Sequence, residues 1–479
     1  MEPKTTFCSD MKYETACRLD HLRKHQYGYL DDHSHVYLDY AGAGLAARCQ
    51  IDAHHARVSS YGAGNPHSVS PASELSNELI AKTKARVLKF LNASPEEYTV
   101  IFTANATGAI RLVGEAYAFG KRSRLVLTED NHNSMQGLRC YAKQAGARVT
   151  YVPVEPRELR TDTADVVSAL SRPRRCIFNR NPHRGLFAYP AQSNFTGVRH
   201  PLSWVKLAQD KGYDVLLDAA AYLPTTKLDL SVVKPDFTVM SWYKLFGFPT
   251  GVGCLVARRS ALSRLSRPWF SGGTVEAALV GLQWHTLVPG AGAFEDGTTN
   301  FLSIPDVHFG IEWIEQIGMD VISDRVRYLT AWVMNNLQHL THDNGRKMVR
   351  IYGPQTMQDR GGTVAFNLVD AEGRLVDERL VAEESAGVNI SLRTGCFCNP
   401  GAGEAALKIR KKDIIRVARD NGWIGTKSVE MPHRPFQGAV RISFGVASTL
   451  DDAKTFMDFV NRAYRNRVIY PKELLYLEG

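Results

Sequence analysis

Two apolar runs, each delivering one reactive side chain, constrain this chain more than any other feature. Val215 to Leu217 is a short strand-like run that presents Asp218 at its carboxyl end. Phe237 to Met240 is a second run, β-branched and aromatic, that breaks at Ser241 just before Lys244. A loop rich in Gly and Pro follows from Gly247 to Gly253. In open α/β sheets, ligands sit beyond the carboxyl ends of strands. The stretch between Asp218 and Lys244 accommodates one connection and the next strand, so both side chains are expected in one crevice.

Taken alone, a lysine in such a loop is most often a solvated surface residue. A lysine at the end of a buried strand instead loses hydration, which lowers the ammonium pKa and frees the amine as a nucleophile. The pairing with Asp218 gives that loss a purpose. A lysine Schiff base with an aspartate on the pyridinium nitrogen is how proteins commonly hold pyridoxal phosphate. The carboxylate keeps the ring nitrogen protonated, and the protonated ring withdraws electrons from a substrate carbanion.

The rest of the chain alternates strand and helix signals. Tyr37 to Gly44 reads as a short strand ending in a Gly-rich turn, Tyr61 to Ser68 as a loop, and Glu74 to Leu91 as a helix. Tyr98 to Phe102 is a strand, followed by a turn and a helix, which places Asn105, Ala106 and Thr107 at a helix N-terminus. Free amides and the helix dipole favour a phosphate there, and the Thr107 hydroxyl adds a donor, although a simple helix cap also accounts for it. Leu125 to Leu127 repeats the layout, with His132 in the following polar turn, where an imidazole can lie on a pyridine ring or merely face solvent. The segments CIFNRN and LFAYPAQSNFTG each read as a strand with its loop, the second carrying Gln192 and Asn194. GVGCLVARR reads as a strand leaving the parallel series. These units predict a doubly wound sheet with a cofactor along one edge.

Composition excludes several classes. Apolar residues make up 44% and charged residues 22%, ordinary for a globular enzyme. The first thirty residues lack an apolar core of the kind a signal peptide carries, and no apolar run approaches a membrane span. A protein away from membranes, in the cytoplasm, is expected. The eight cysteines are scattered, which suits reduced thiols better than a disulfide framework. Only Cys396 and Cys398 are close together, too few ligands for zinc, so no metal site is expected. The formal charge of +9 suits anionic small molecules, and no nucleic-acid motif accompanies it.

The motifs YLDYAGAG, GNPHS, YTVIFTANAT, YPAQSNFTGVRHPLSW, LLDAAAY, YKLFGFPTGVG, FEDGTTNF, LRTGCFCNPGAG and VRISFG carry a resemblance. In this order they are similar to the amino-terminal domain of the molybdenum cofactor sulfurases, which resembles the cysteine desulfurases of the class V aminotransferase fold. The likeness runs from about Tyr37 past Arg441. It implies a pyridoxal-phosphate-dependent transferase of fold type I, with a large doubly wound α/β domain over residues 61–300. A smaller α/β domain would combine residues 1–60 and 301–479 and carry the Cys398 loop.

By the same resemblance Lys244 holds pyridoxal phosphate, Asp218 pairs with the ring nitrogen and His132 stacks on the ring. Ala106, Thr107 and Ser241 contact the phosphate, and Thr298 in the GTTN loop contacts it from the other subunit of a homodimer. Asn194 and Arg393 hold the carboxylate of an amino-acid substrate, L-cysteine. The planar guanidinium suits that task, although a structural salt bridge is the rival reading for Arg393. Cys398 is the nucleophile that takes sulfur from cysteine as a persulfide and passes it to a separate acceptor. Glycines around it suggest a mobile loop, and Cys396 reads as a spectator or as a resolving or accessory thiol. The other reading is a pyridoxal-phosphate C–S lyase or transferase acting on another amino acid or a cysteine conjugate.

Three departures stand out. The sulfurases continue into a carboxyl-terminal domain that binds the pterin cofactor, whereas here the sequence ends at Gly479, so delivery to an acceptor on another molecule is expected. The family's further cysteine is Gly403 here, and its AGAT is Ala41-Gly42-Ala43-Gly44. Simple desulfurases place a glutamine three residues after the ring-pairing aspartate, where Ala221 stands.

Overall fold

The computed structural model describes residues 13–171, 184–420 and 438–470. The strand expected at CIFNRN lies outside the described residues. The first strand, β1 (Val36–Tyr37), is short. The next seven, β2 (Tyr98–Thr103), β3 (Arg124–Thr128), β4 (Arg148–Val152), β5 (Gly185–Pro190), β6 (Tyr213–Asp218), β7 (Phe237–Ser241) and β8 (Gly253–Arg258), form one sheet in the order β2-β8-β7-β6-β5-β3-β4. Strand β8 runs antiparallel to both neighbours, as its place outside the parallel series predicts.

Both faces of this sheet are covered. Along β5, Phe187 and Tyr189 enter one apolar cluster while Leu186 and Ala188 enter another, and β6 splits Val215 and Leu217 from Leu216 in the same way. A strand buried on both sides reads as a continuous apolar run, and so these strands are legible in the sequence. Each fully buried Val or Leu contributes about 2 kcal/mol of transfer free energy. Residues of the helices Ala106–Ala116 and Leu138–Gln144 cover one face. The helices Pro71–Phe90 and Trp204–Asp210 contribute to the other cluster.

The register aligns the carboxyl ends of the central strands. Pro190 pairs with Asp218, and Asp218 pairs with Val239, so Ser241 lies just beyond. The chain then turns at once into a single helical turn, Trp242–Phe246, and Lys244 sits on that turn where the sequence suggests a loop.

After an antiparallel hairpin, β9 (Val275–Leu279) with β10 (Trp284–Leu287), the chain builds a second sheet. It comprises β11 (Val349–Tyr352), β12 (Thr363–Leu368), β14 (Arg393–Gly395) and β15 (Ala439–Ser443), in the order β11-β12-β15-β14. The remaining strand, β13 (Ile390–Ser391), pairs in parallel with β1. Val364, Phe366, Val440 and Ile442 of the second sheet join the same apolar cluster as Phe187 and Leu217 of the first, so one core spans both. The turn after β1 is tied down: the Gly42 and Ala43 amides donate to the Asp39 carbonyl, and Gly44 donates to the Tyr243 carbonyl at 2.9 Å.

Candidate active site

The carboxyl ends of β2, β3, β5, β6 and β7 surround a cavity of about 430 Å3, lined among others by Thr107, His132, Asn194, Asp218, Ser241 and Lys244. The β2–helix turn forms one wall. The Asn105 side chain accepts from the Gly108 amide at 2.9 Å, and Ser241 Oγ accepts from the Ala106 amide at 3.3 Å. The Thr107 amide has no partner among the described residues, and the Thr107 hydroxyl shares a 2.7 Å hydrogen bond with Ser134. A helix start with a free amide and two hydroxyls beside it is a site for an anion. Gly253 makes that wall possible. A Cβ there would lie 2.6 Å from the Asn105 backbone and 2.8 Å from the Ala106 nitrogen.

Lys244 lines the same cavity. Burial holds its ammonium below the ordinary lysine range, while Asp218, Asp39 and Cys398 partly support the charge. Asp218 is buried, and one oxygen accepts from the Ala220 amide at 2.9 Å. His132 accepts at Nδ1 from the Ser134 amide at 3.1 Å. An amide can only donate, so the neutral ring carries its proton on Nε2. Burial lowers the His132 pKa, with Lys244 and Arg441 adding to the effect against Asp218. Burial thus favours the neutral ring.

Gly44 explains one departure from the family motif. A Cβ at Gly44 would meet the Gly247 nitrogen at 2.9 Å and the Tyr243 oxygen at 3.0 Å, so a threonine does not fit against the Lys244 turn without movement. Gly403, the position of the family's further cysteine, faces Cys396: a Cβ there would lie 3.6 Å from Cys396 Cβ. The missing thiol is thus a neighbour of Cys396. Where simple desulfurases carry a glutamine, the Gln192 amide reaches in from another loop and donates to the Ala221 carbonyl at 2.8 Å.

The Cys398 segment is anchored in many places, unlike the mobile loop its glycines suggest. The Asn133 amide donates to the Cys398 carbonyl at 2.7 Å, and Asn194 Nδ2 donates to the Phe397 carbonyl at 2.7 Å. Phe397 packs 4.9 Å from the Phe195 ring and lies under the Arg441 guanidinium at 4.8 Å. Asn399, fully buried, donates to the Asp130 carbonyl at 2.6 Å and to Asn194 Oδ1 at 2.9 Å, and accepts from the Ala402 amide at 3.2 Å. Cys398 itself is exposed and adopts φ 55°, a left-handed conformation uncommon for cysteine. Cys398 lies near enough to Lys244, Arg393 and Arg441 that a thiolate there would support the charge of each.

Two residues outside the sequence-derived set, Asp39 and Arg441, complete the arrangement. Arg441 in β15 is buried, donates to Asp39 at 2.7 Å and to the Asn194 carbonyl at 2.9 Å, and burial lowers its pKa. Arg393 binds the other Asp39 oxygen through Nε at 2.9 Å and Nη2 at 2.6 Å. The salt-bridge reading of Arg393 therefore holds in the structure, and its side chain nevertheless stays 54% exposed. Burial disfavours that charge, but Asp39 outweighs it and raises the pKa. Arg441 carries a signal that could have been read: an arginine inside the apolar run VRISF must find a buried partner. Thr298 is exposed, accepts a 3.4 Å hydrogen bond from Asn65, and lies away from this chain's cavity lining.

The family described as aminotransferase class V matches residues 36–456. A molybdenum cofactor sulfurase from Solanum lycopersicum is 35% identical over 92% of this chain and 57% of that protein. The Homo sapiens molybdenum cofactor sulfurase is 36% identical over 89% of this chain and 49% of that protein. The chain thus spans about half the length of the curated relatives it matches. Among solved structures, a cysteine desulfurase from Thermococcus onnurineus NA1 superposes with a TM-score of 0.76 at 22% identity, covering 93% of this chain and 97% of that one. The cysteine desulfurase CsdA from Escherichia coli gives 0.73 at 20% identity, covering 93% and 98%. These likenesses establish the fold, α/β of fold type I.

Proposed function

The chain belongs to the aminotransferase class V family, and on that premise we propose that it is a pyridoxal-phosphate-dependent cysteine desulfurase. The single observation that carries this reading is the cavity in which Asp218, His132 and Lys244 meet a helix start with a free amide, with Cys398 held nearby. The donor set fits the cofactor. Thr107 and Ser241 suit its phosphate, Asp218 its ring nitrogen, His132 its ring face and Lys244 its aldehyde carbon. Bound there, the cofactor supplies an electron sink for a bond breaking at a substrate carbon.

The chain's own groups do the rest. Lys244, its ammonium destabilised by burial, gives up its proton more readily than a free lysine and can carry a proton to and from the substrate. The Arg393 Nη1, not engaged with Asp39, and buried Arg441 give the substrate carboxylate two cations, with Asn194 beside them. Cys398 as thiolate attacks the substrate sulfur: an S–S bond forms, the C–S bond breaks, and its electron pair goes to the substrate carbon, which is then protonated. Alanine leaves, and Cys398 holds a persulfide for a separate acceptor.

We further propose a homodimer. The hairpin from β9 to β10 exposes Leu279, Val280, Leu282 and Trp284, with Val280 at 95% exposure. The Gly297 amide, next to Thr298, donates to the Gly272 carbonyl just before that hairpin. An apolar face of this kind suits a partner surface, and a second copy would let Thr298 reach a neighbouring cavity. Residues 61–300 with the first sheet, against 1–60 and 301–479 with the second, is the domain division these sheets support. Among the described residues no helix is long and apolar enough to cross a membrane. Reduced thiols at Cys396 and Cys398 suit the cytoplasm. The test is incubation with L-cysteine while alanine, pyruvate and sulfide are measured separately. Alanine in step with transferred sulfur supports desulfuration; pyruvate with free sulfide points instead to β-elimination and the lyase reading.

A further inference from the structure

A second cavity, of about 210 Å3, lies between the helix Met319–His339 and the loop before β12. Arg199, Arg327 and Arg360 line it, together with Thr225, Asp324 and Asp359. Among the described residues none of the three guanidiniums has a carboxylate within ion-pair distance. Arg360 is only 3% exposed, and its terminal nitrogens donate to the carbonyls of Pro354, Thr196 and Thr363. A charge buried among neutral acceptors is costly. Burial lowers its pKa to about 10, and nearby Arg160 adds repulsion.

Two buried polar atoms are left without a partner in this wall: Arg360 Nε and Thr225 Oγ1. Thr225 is 6% exposed. Asp324 and Asp359 are exposed, so the deep end carries donors while the acids sit at the rim. Arg199 is half-buried, and burial and Arg327 lower its pKa against Tyr222 and Asp359. Three guanidiniums without an ion-pair partner, an orphaned N–H and an orphaned hydroxyl line one void whose two carboxylates, Asp324 and Asp359, are exposed, so its deep end suits an acceptor bearing negative charge.

We propose that this cavity binds a small tetrahedral oxyanion of the phosphate or sulfate class, seated between Arg360, Arg199 and Thr225 with Arg327 closing over it. The site adjoins the catalytic cavity without belonging to it. Arg199 Nε donates to Gln192 Oε1 at 3.1 Å, and Gln192 lines the first cavity. A void of about 30 Å3 shares Thr225 and Gly362 with the oxyanion site, and Gln192 and Lys244 with the catalytic one. The inference stands on this second cavity alone and does not depend on the desulfurase reading.

The experiment is calorimetric titration of the pyridoxal-phosphate-loaded protein with inorganic phosphate, with sulfate, and with glycerol 3-phosphate. Loading the cofactor occupies the Thr107 turn, so that this turn no longer competes. One saturable oxyanion site per chain is expected. Losing a charge-assisted hydrogen bond should weaken it by about tenfold or more in Arg199→Gln and in Arg327→Gln. Arg327 is exposed, so its variant tests the site without endangering the fold. Arg122→Gln, at an exposed position outside the cavity lining, should bind as the parent does. Tighter binding of glycerol 3-phosphate than of phosphate would identify a phosphate monoester as the ligand, and equal binding a free oxyanion. No saturable heat, or unchanged affinity in Arg327→Gln, overturns the proposal.

Discussion

Replacing Asn399 by alanine tests how Cys398 is held in place. Asn399 is fully buried and joins three segments of the candidate site: the His132 turn through the Asp130 carbonyl, the Asn194 loop, and its own helix through the Ala402 amide. Asn399→Ala removes all three hydrogen bonds and leaves buried partners behind. At about 1 kcal/mol each, the loss is about 3 kcal/mol of stability. For a cooperative transition of 479 residues, an unfolding entropy of about 2.1 cal/mol/K per residue converts this into a fall of about 3 °C in Tm. Function should suffer far more than stability. Cys398 sits at φ 55°, so release of the next residue lets the thiol drift. Misplacement of a reacting group by about 1 Å costs on the order of 100-fold in rate. The assay pairs scanning calorimetry with alanine formation from L-cysteine, alongside the visible absorbance of bound cofactor. We predict a small loss in Tm, full cofactor content and a fall in turnover of about 100-fold. Normal turnover with a lowered Tm would refute the reasoning, since Asn399 would then merely stabilise the fold.

Other outcomes follow from the same geometry. Asp218→Ala should retain part of its cofactor yet lose about 100-fold or more in turnover, because the buried carboxylate proposed to pair with the ring nitrogen is gone; near-normal turnover would contradict that role. Burial lowers the Lys244 pKa, so the folded protein releases this proton at a lower pH than a free lysine. The rate at which added cofactor becomes covalently fixed to cofactor-free protein should therefore rise through a midpoint below the ordinary value of about 10.4; a midpoint at that value would contradict the burial argument. Val280→Asp on the exposed hairpin should shift sedimentation toward a monomer and reduce turnover together, and an unchanged dimer would remove the hairpin from the interface.

Much of this was legible in the sequence, for physical reasons that can be named. Strands β5 to β7 are buried on both faces, so their apolar runs announce them and their carboxyl ends mark the crevice where Asp218 and Lys244 meet. The helix start at Ala106 shows itself through the strand–turn–helix layout, and β8 through its place outside the parallel series. What escaped depends on contacts between distant segments. The glycines around Cys398 suggest mobility, and only the folded chain reveals that Asn399 reaches back to Asp130. Arg393 and Arg441 share Asp39 across nearly the whole sequence, which no local pattern records. The Asn399-Pro400 pair was readable as a helix start, with an N-cap followed by proline at the first helical position.

Direct transfer of sulfur from the substrate to Cys398 is the step on which the proposed function turns. The direct measurement is mass spectrometry of the cofactor-loaded protein after brief exposure to L-cysteine, with alanine quantified in the same samples for the parent, Cys398→Ala and Cys396→Ala. We predict one added sulfur atom on the peptide containing Cys398 in the parent, alanine formation lost in Cys398→Ala with cofactor still bound, and alanine formation largely kept in Cys396→Ala. Normal alanine formation by Cys398→Ala, with no added sulfur on the parent, would contradict it.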